Sequence, residues 1–372
     1  MTMQLLSVFN TNLAPALANH LWQSTAFAAL VALLMPLLRR NHAQVRYRLW
    51  MAASIKFLIP LSLLVELGGL LPKATTLTSQ VAMYSVFDVA GQPFSEASMP
   101  AHLPLWMERM MTSLPMILVA IWICGVMAAV LVWLRRWGQV SALRRRAVVA
   151  TGGRELAILR ALEERMQMRG HVAMLHSNEL MEPGIVGVMR PALLWPLRLS
   201  ERLEEEHIEA IATHELMHVR RRDNLTAALH MLVEALFWFH PMVWWIERQM
   251  VKEREHACDE AVVGLGCKPG MYAEGLLTAC RFCVESSLVC VAGISGGELR
   301  KRIVGIMSTR AARRVALGSR LLLAAATVMV IAVPIVFGQI DAGLRGSLPA
   351  MRPPAPPPPP PPPPGFFKML AN

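Results

Sequence analysis

The sequence predicts a mainly α-helical membrane protein in which a soluble α+β domain lies between the third and fourth of four transmembrane helices. Three observations predict this fold class. Hydrophobic residues make up 54% of the 372 residues and charged residues 17%, with a mean hydropathy of +0.41, which is too apolar for soluble domains alone. Four stretches are apolar over the roughly 20 residues that a membrane helix needs. One long stretch of soluble composition separates the last two.

The apolar stretches divide the chain into four regions. The first stretch is followed, not preceded, by basic residues, the reverse of a secretory signal peptide, so we expect it to be retained. Residues 1–137 are then a membrane region, residues 138–319 a soluble domain, residues 320–340 the fourth span and residues 341–372 an extracytoplasmic tail. The first three spans are predicted at 13–38, 49–71 and 114–134.

The positions of the basic residues predict the orientation. The formal net charge is +11, and arginines cluster after the first and third spans and before the fourth. Lys and Arg accumulate on cytoplasmic loops. We therefore expect a multi-pass protein of a bacterial-type cytoplasmic (inner) membrane, with the soluble domain in the cytosol and both termini extracytoplasmic. The positive charge is then explained by the lipid bilayer, and we expect no direct nucleic-acid partner. Six scattered cysteines exclude a small disulfide scaffold.

The tail contains nine consecutive prolines at 356–364. Such a run forms a stiff polyproline II rod of about 28 Å. Two interpretations stay open: a disordered tail without a ligand, or a segment that binds a periplasmic partner.

The soluble domain begins with short elements. An amphipathic helix is predicted at 155–168, a strand at 171–176, turns at 177–187 and an apolar strand, central or at a sheet edge, at 191–196. Ser200 and the acidic run 204–206 then favour the start of a helix, because carboxylates in a first turn complement the helix dipole.

That helix carries the sequence HELMH. His214 and His218, at positions i and i+4, project from one helix face and can bind one zinc ion. Glu215 lies beside them and can take a proton from a zinc-activated water that attacks a peptide carbonyl. We therefore predict one Zn²⁺ cofactor and Glu215 as the catalytic base.

A catalytic zinc needs a third protein ligand, and Glu255 is the best candidate. It lies in a predicted helix with Asp259 four residues later on the same face, so that one carboxylate can bind the metal and the other can accept the ring N–H of a ligand histidine. His256 and Cys258 are weaker candidates that point to other faces.

Residues 225–246 are apolar enough to resemble a fifth span. If they crossed the bilayer, Glu255 would lie on the opposite side from His214 and His218, and the site could not close. We therefore predict one or two helices packed in the domain or at the membrane surface, with Trp238, Trp244 and Trp245 at the interface.

Three motifs in this order resemble the membrane metallopeptidases of the beta-lactam-sensing receptor (BlaR/MecR) type: PGIVGVMRPALLWP at 183–196, HELMHVRRRD at 214–223 and EHACDE at 255–260. The resemblance covers about residues 13–340. It implies a gluzincin-like cytoplasmic domain that cleaves itself and contributes to removing a transcriptional repressor, with His214, His218 and Glu255 as ligands. It also implies that the strand before Pro196 offers an edge for an extended substrate.

The resemblance ends at the C-terminus. The antibiotic receptors carry a penicillin-binding sensor domain with a Ser-x-x-Lys motif after their last span, whereas this sequence continues into the proline-rich tail. We expect that a signal enters through the loop 72–113, the tail or a partner.

Three functions are consistent with these features. The first is a zinc metalloendopeptidase that cleaves protein substrates on the cytoplasmic side in signal transduction or regulated proteolysis. The second is a membrane quality-control protease of broad specificity. The third is a non-enzymatic envelope tether with a structural zinc, which would need a fourth protein ligand and no general base.

Overall fold

The structure is a computed structural model that describes residues 14–39, 41–60, 67, 70, 105–177, 182–285 and 296–308. The predicted fourth span, the proline-rich tail and most of the loop 72–113 lie outside the described residues.

Three helices precede the sheet: α1 (Ala14–Leu34), α2 (Ala43–Lys56) and α3 (Leu105–Arg146). α1 and residues Ser113–Arg146 of α3 are long and apolar enough to cross a membrane, and they overlap the first and third predicted spans. α2 begins six residues before the predicted second span at 49–71 and ends at Lys56, while residues 61–66 of that span lie outside the described part.

A small mixed sheet follows, together with the first helix of the soluble part. The bounds are β1 (Val148–Val149), α4 (Arg154–Arg165), β2 (Ala173–Ser177), β3 (Gly184–Val186) and β4 (Ala192–Pro196). The strands have the order β1-β2-β4-β3, and β4 pairs parallel with β2 and antiparallel with β3. The predicted elements at 155–168, 171–176 and 191–196 correspond to α4, β2 and β4.

The expectation that the strand before Pro196 lies at a sheet edge is wrong. β4 lies between two partners and all five of its residues are buried, because its apolar side chains pack on both faces of the sheet. The edge beside the helices is β3, which falls within the segment predicted as turns. β3 has only three residues, and Pro183 and Gly187 flank it. Its apolar pattern is therefore too short to predict a strand from the sequence.

The helix that carries HELMH begins later than Ser200. Ser200 ends the one-turn helix α5 (Leu197–Ser200), and its hydroxyl accepts a hydrogen bond from Trp195 Nε1 at 2.7 Å. Glu204 is the N-cap of α6 (Glu205–Arg221) in a capping box with His207. Arg222, at φ 57°, ends α6 in the left-handed conformation and starts the next helix at a new angle.

The remaining helices complete the domain, and residues 225–246 lie in two of them, which is one of the two predicted arrangements. The position of Trp238, Trp244 and Trp245 at a membrane interface stays a prediction. Pro241 stands in the first turn of the second one, where its missing N–H leaves no bond unmade. The bounds are α7 (Asp223–Leu236), α8 (Pro241–Gly264), α9 (Pro269–Glu285) and α10 (Gly296–Ser308).

The two largest of four hydrophobic cores in the described part hold most of these elements. One lies between α4, α6 and the sheet, around Leu159, Leu193 and Ile208. The other joins α1 and α2 to α7 and α8, around Trp50 and Ile246. The apolar N-terminal helices and the soluble part therefore share buried surface, which fixes α8 against α2.

The turn between α7 and α8 packs on the middle of α3. Trp238 Nε1 donates to the carbonyl of Trp122 at 3.3 Å, and Trp122 Nε1 donates to the carbonyl of Leu236 at 2.8 Å. The Trp238 indole lies on Gly125, where a Cβ atom would stand 2.0 Å from the ring. Glycine at this position is what allows the turn to approach α3.

We expect Gly125→Ala to destabilise the protein by about 1 to 3 kcal/mol, because the new methyl group overpacks this contact. Gly138→Ala is the control, since it lies on the same helix with nothing within 4 Å of its Cβ, and it should be neutral or stabilising by up to about 1 kcal/mol. Thermal unfolding of the detergent-solubilised chain measures both. Equal Tm values for the two variants would contradict the contact.

Candidate metal centre

One turn of α6 presents two imidazoles to the same space. His214 and His218 lie at i and i+4, with their ring planes at 84° and their Nε2 atoms 3.2 Å apart. His214 is buried and His218 is partly buried. The two Nε2 lone pairs therefore converge on one point, as a shared metal ion requires.

α8 brings a carboxylate to that point. Glu255 Oε2 lies 3.4 Å from His214 Nε2, and Glu255 Oε1 lies 3.9 Å from His218 Nε2. Ligands about 2.0 to 2.2 Å from a tetrahedral zinc ion are separated by roughly 3.3 to 3.6 Å. The three donors therefore stand close to the spacing that zinc needs, and their N, N, O chemistry fits a catalytic zinc site with an open position.

Glu215 lies at the same centre. It lines a cavity of about 360 Å³ together with His214, His218 and Glu255. Burial raises its pKa, and the nearby Glu255 charge adds to this, while the two histidines oppose it. A carboxylate with a raised pKa is a better proton acceptor than an exposed glutamate.

Buried polar groups orient the ring of His214. Its Nδ1 lies 2.8 Å from the Tyr272 hydroxyl, which donates to Asp259 Oδ1 at 2.6 Å. Because that hydroxyl donates to Asp259, it accepts the Nδ1–H of the imidazole and leaves the Nε2 lone pair for a metal. Arg302 donates to both oxygens of Asp259 at 2.7 and 3.0 Å.

A separate carboxylate orients His218. Its Nδ1 lies 2.8 Å from Oδ2 of Asp223, which is the first residue of α7. Arg221 Nε lies 3.4 Å from Oδ1 of the same carboxylate. Asp223 is buried. Both histidines thus direct Nδ1 to an anchoring group and Nε2 to the shared centre. Metal-binding imidazoles are held in the same way, by a hydrogen bond from the ring nitrogen that does not bind the metal.

Cys258 is a competing ligand that the geometry disfavours. His214, His218 and Cys258 form a cluster of donor atoms within 4.8 Å of one another. The Cys258 Sγ atom, however, lies 3.5 Å from Nδ1 of His218, the nitrogen that Asp223 already occupies. Burial also raises the pKa of the thiol, whereas a metal ligand must be a thiolate. His256 points away, with Nδ1 3.9 Å from Glu253.

The charges of the site are mutually compensated. Burial lowers the pKa of His214, but hydrogen bonds to Asp259 and Glu255 outweigh burial and raise it to about 9. Burial raises the pKa of Glu255, but the hydrogen bond to His214 and the charge of that imidazole outweigh it and hold the pKa well below 4.5. The Asp259 pKa is lowered in the same way, by His214 and then Arg302. Without a metal, His214 is therefore cationic at neutral pH.

The edge strand β3 runs along the cavity. Pro183 and Ile185 line it, and Asn224 donates through Nδ2 to the carbonyls of Ile185 and Gly187 at 3.2 and 2.9 Å. Asn224 lies next to Asp223 at the start of α7. The same helix N-terminus therefore positions both a histidine ligand and the strand beside it.

The structure brings all five predicted site residues together, whereas sequence reasoning placed none of Asp223, Asn224, Tyr272 and Arg302 at the site and expected Arg302 to contact anionic lipid. Asp223 carried a signal, because it is a carboxylate directly after the predicted helix and five residues beyond His218. Tyr272 and Arg302 carried none, since they reach the site from α9 and α10 without a recurring spacing.

The BlaR1 peptidase M56 family model matches residues 16–306. The chain is 26% identical over 144 residues to the regulatory protein BlaR1 of Bacillus licheniformis, across 39% of this chain and 24% of that protein. It is 20% identical over 224 residues to the methicillin resistance mecR1 protein of Staphylococcus aureus (strain Mu50 / ATCC 700699), across 58% and 37%. The matches thus span about a quarter to just over a third of these relatives. They confirm the resemblance drawn from the three motifs.

We expect Glu255→Ala and His214→Ala to lose stoichiometric zinc, because each removes one of three donors. Cys258→Ala should retain it, since its thiol lies on the far side of His218. Elemental analysis of the purified variants after dialysis measures the zinc content. Zinc loss in Cys258→Ala with retention in Glu255→Ala would instead identify a His-His-Cys site.

Zinc affinity should rise with pH between about 7 and 9. The pKa of His214 is about 9 in the metal-free protein, so zinc must displace its proton below that pH, a cost of up to about tenfold in affinity per pH unit. Chelator competition at several pH values measures the slope.

Asp259→Asn is the matched variant for this slope, because it removes a charge that holds the proton on His214. It should flatten the pH dependence while weakening zinc binding about 10- to 100-fold. A pH-independent affinity in the unaltered protein would contradict the assignment.

Proposed function

The chain belongs to the BlaR1 peptidase M56 family, and from that premise we propose that it is a zinc metalloendopeptidase that cleaves protein substrates at the cytoplasmic face of the membrane. The family implies a membrane-bound, signal-transducing metallopeptidase. One observation carries the finer proposal: two Nε2 atoms and one carboxylate converge at 3.2 to 3.9 Å beside a half-buried glutamate, Glu215, that is not needed as a ligand.

His214, His218 and Glu255 would hold the ion. A zinc ion held there would act as a Lewis acid that lowers the pKa of water and polarises the scissile carbonyl. Glu215 takes the proton of the attacking water and returns it to the departing amine nitrogen. Its raised pKa suits both transfers, because the carboxylate must accept and then release the same proton. Tyr272 and Asp223 keep the two imidazoles in place throughout.

The proposed binding site for the substrate peptide lies along β3. It is the edge of the sheet next to the cavity, so an extended substrate can lie along it with its scissile bond over the metal centre. Asn224 holds two carbonyls of this strand region, Ile185 and Gly187. Recognition through main-chain hydrogen bonds selects substrates by their extended backbone more than by a particular side chain.

A contact with the first basic loop supports the cytoplasmic location. Arg46 Nε donates to Glu253 Oε2 at 2.8 Å, and the backbone N–H of Ala43 donates to Glu260 at 3.0 Å. Glu253 and Glu260 lie on α8, which also carries Glu255. The site therefore lies on the same side of α1 as this loop, and loops rich in arginine remain in the cytosol.

The descriptions of the relatives support a proposal for the substrate class. They are described as a regulatory protein and as methicillin resistance proteins, which favours limited cleavage in signalling over bulk degradation. We propose either a transcriptional repressor or the chain itself as the substrate. A quality-control protease with the same chemistry is the second candidate.

A non-enzymatic tether with structural zinc is the third candidate. Structural zinc has four protein ligands and no need of a base. Among the described residues, three donors face the centre, the Cys258 thiol lies against Nδ1 of His218 instead, and Glu215 lines the same cavity, which favours an enzyme. A fourth protein ligand found by X-ray absorption spectroscopy would support the tether.

We expect Glu215→Gln to keep zinc and lose about 10² to 10⁴ of the cleavage rate, because the amide cannot accept the proton. The measurement is N-terminal profiling of membrane and cytosolic proteins from cells that make either chain at matched levels. A few new ends that depend on Glu215 indicate a regulator, and many indicate quality control. Identical ends in both cells under inducing stress would contradict the enzyme.

A further inference from the structure

A second cavity lies away from the metal centre, between α1, α2 and α8. Its volume is about 450 Å³, within the range of small-molecule sites. Ala32 and Met35 line it at the end of the first predicted span, and Arg39 lines it just beyond. The cavity thus stands where the apolar span gives way to the basic loop.

The residues that line the cavity change from apolar to cationic along each helix. α8 contributes Trp245, Gln249 and Lys252, which are spaced i, i+4 and i+7 and therefore share a helix face. α2 contributes Arg46 and Trp50, one turn apart. An amphiphile with an apolar chain and a charged head matches this gradient.

The charge of the cavity is positive. Arg39, Arg46 and Lys252 face a single carboxylate, Glu253, which Arg46 already binds at 2.8 Å. Arg39 and Lys252 are exposed, and neither side chain forms an ion pair within the described part of the chain. Two cationic side chains are thus available to an anion.

Two tryptophans form part of the apolar wall. Trp50 is 2% exposed, and its ring packs edge-on against Trp245 at 4.8 Å. This contact joins α2 to α8 beside the cavity.

We propose that this cavity binds an anionic phospholipid, with its phosphate between Arg39 and Lys252 and its acyl chain along α1 at Ala32 and Met35. A lipid fits better than a free phosphate, because half of the wall is apolar and continues into the predicted span. Lysine and arginine at a membrane surface each contribute about 1 kcal/mol to binding an anionic headgroup.

The test uses the full chain in nanodiscs of phosphatidylcholine with a minor fraction of phosphatidylglycerol. Native mass spectrometry then counts the lipids retained on the released protein. We expect Lys252→Ala and Arg39→Ala each to lower the preference for phosphatidylglycerol about fivefold.

Arg248→Ala is the matched control. Arg248 is an exposed cation one turn before Lys252 on α8, and it does not line the cavity. The preference should stay unchanged in this variant. An equal loss in Arg248→Ala and Lys252→Ala would indicate diffuse attraction and overturn the proposal.

A second arm separates the lipid from a free anion. Inorganic phosphate and glycerol phosphate are titrated against the detergent-solubilised chain and against Lys252→Ala. Weak binding of both, relative to phosphatidylglycerol, supports a lipid site. Tight, Lys252-dependent binding of inorganic phosphate without lipid selectivity would overturn it.

Discussion

The geometry of the metal centre depends on how α8 is held. Glu255 must stand within 4 Å of two imidazoles that lie about 40 residues earlier in the chain, so the whole helix has to be fixed from its other side. The buried Arg46–Glu253 ion pair and the Trp50–Trp245 contact provide that hold from α2. Removing one partner of such a pair strands a buried charge, which costs about 3 to 5 kcal/mol.

The same helix therefore connects two environments. Glu255 and Asp259 face the site, while Glu253 and Glu260 bind the start of α2 next to the basic loop. Because α2 contacts α8 directly, a displacement of α2 would act on α8 and therefore on the position of Glu255.

Neutralisation of buried charge explains why so many polar residues surround the centre. Asp259 has Arg302 and Tyr272, Asp223 has His218 and Arg221, and Glu255 has both histidines and Arg254. An unpaired carboxylate in these positions would be protonated or would destabilise the fold. Arg302 comes from α10, the last described helix before the predicted fourth span, so the site draws on both ends of the domain.

The sequence by itself determined the features that local periodicity encodes. The i, i+4 spacing of His214 and His218 and of Glu255 and Asp259 specified two helix faces with metal-binding chemistry, and the elements α4, β2 and β4 followed from their apolar patterns. The requirement that Glu255 meet the histidines also excluded a fifth span at 225–246.

Only the tertiary structure decided the rest, because it depends on contacts between distant segments. The pairing of β4 with β3 moved the sheet edge to a strand too short to have a pattern of its own. Tyr272 and Arg302 joined the site from separate helices. Packing of α1 and α2 on α8 buried Arg46 and formed the second cavity, since side-chain packing between elements has no signature in either element alone.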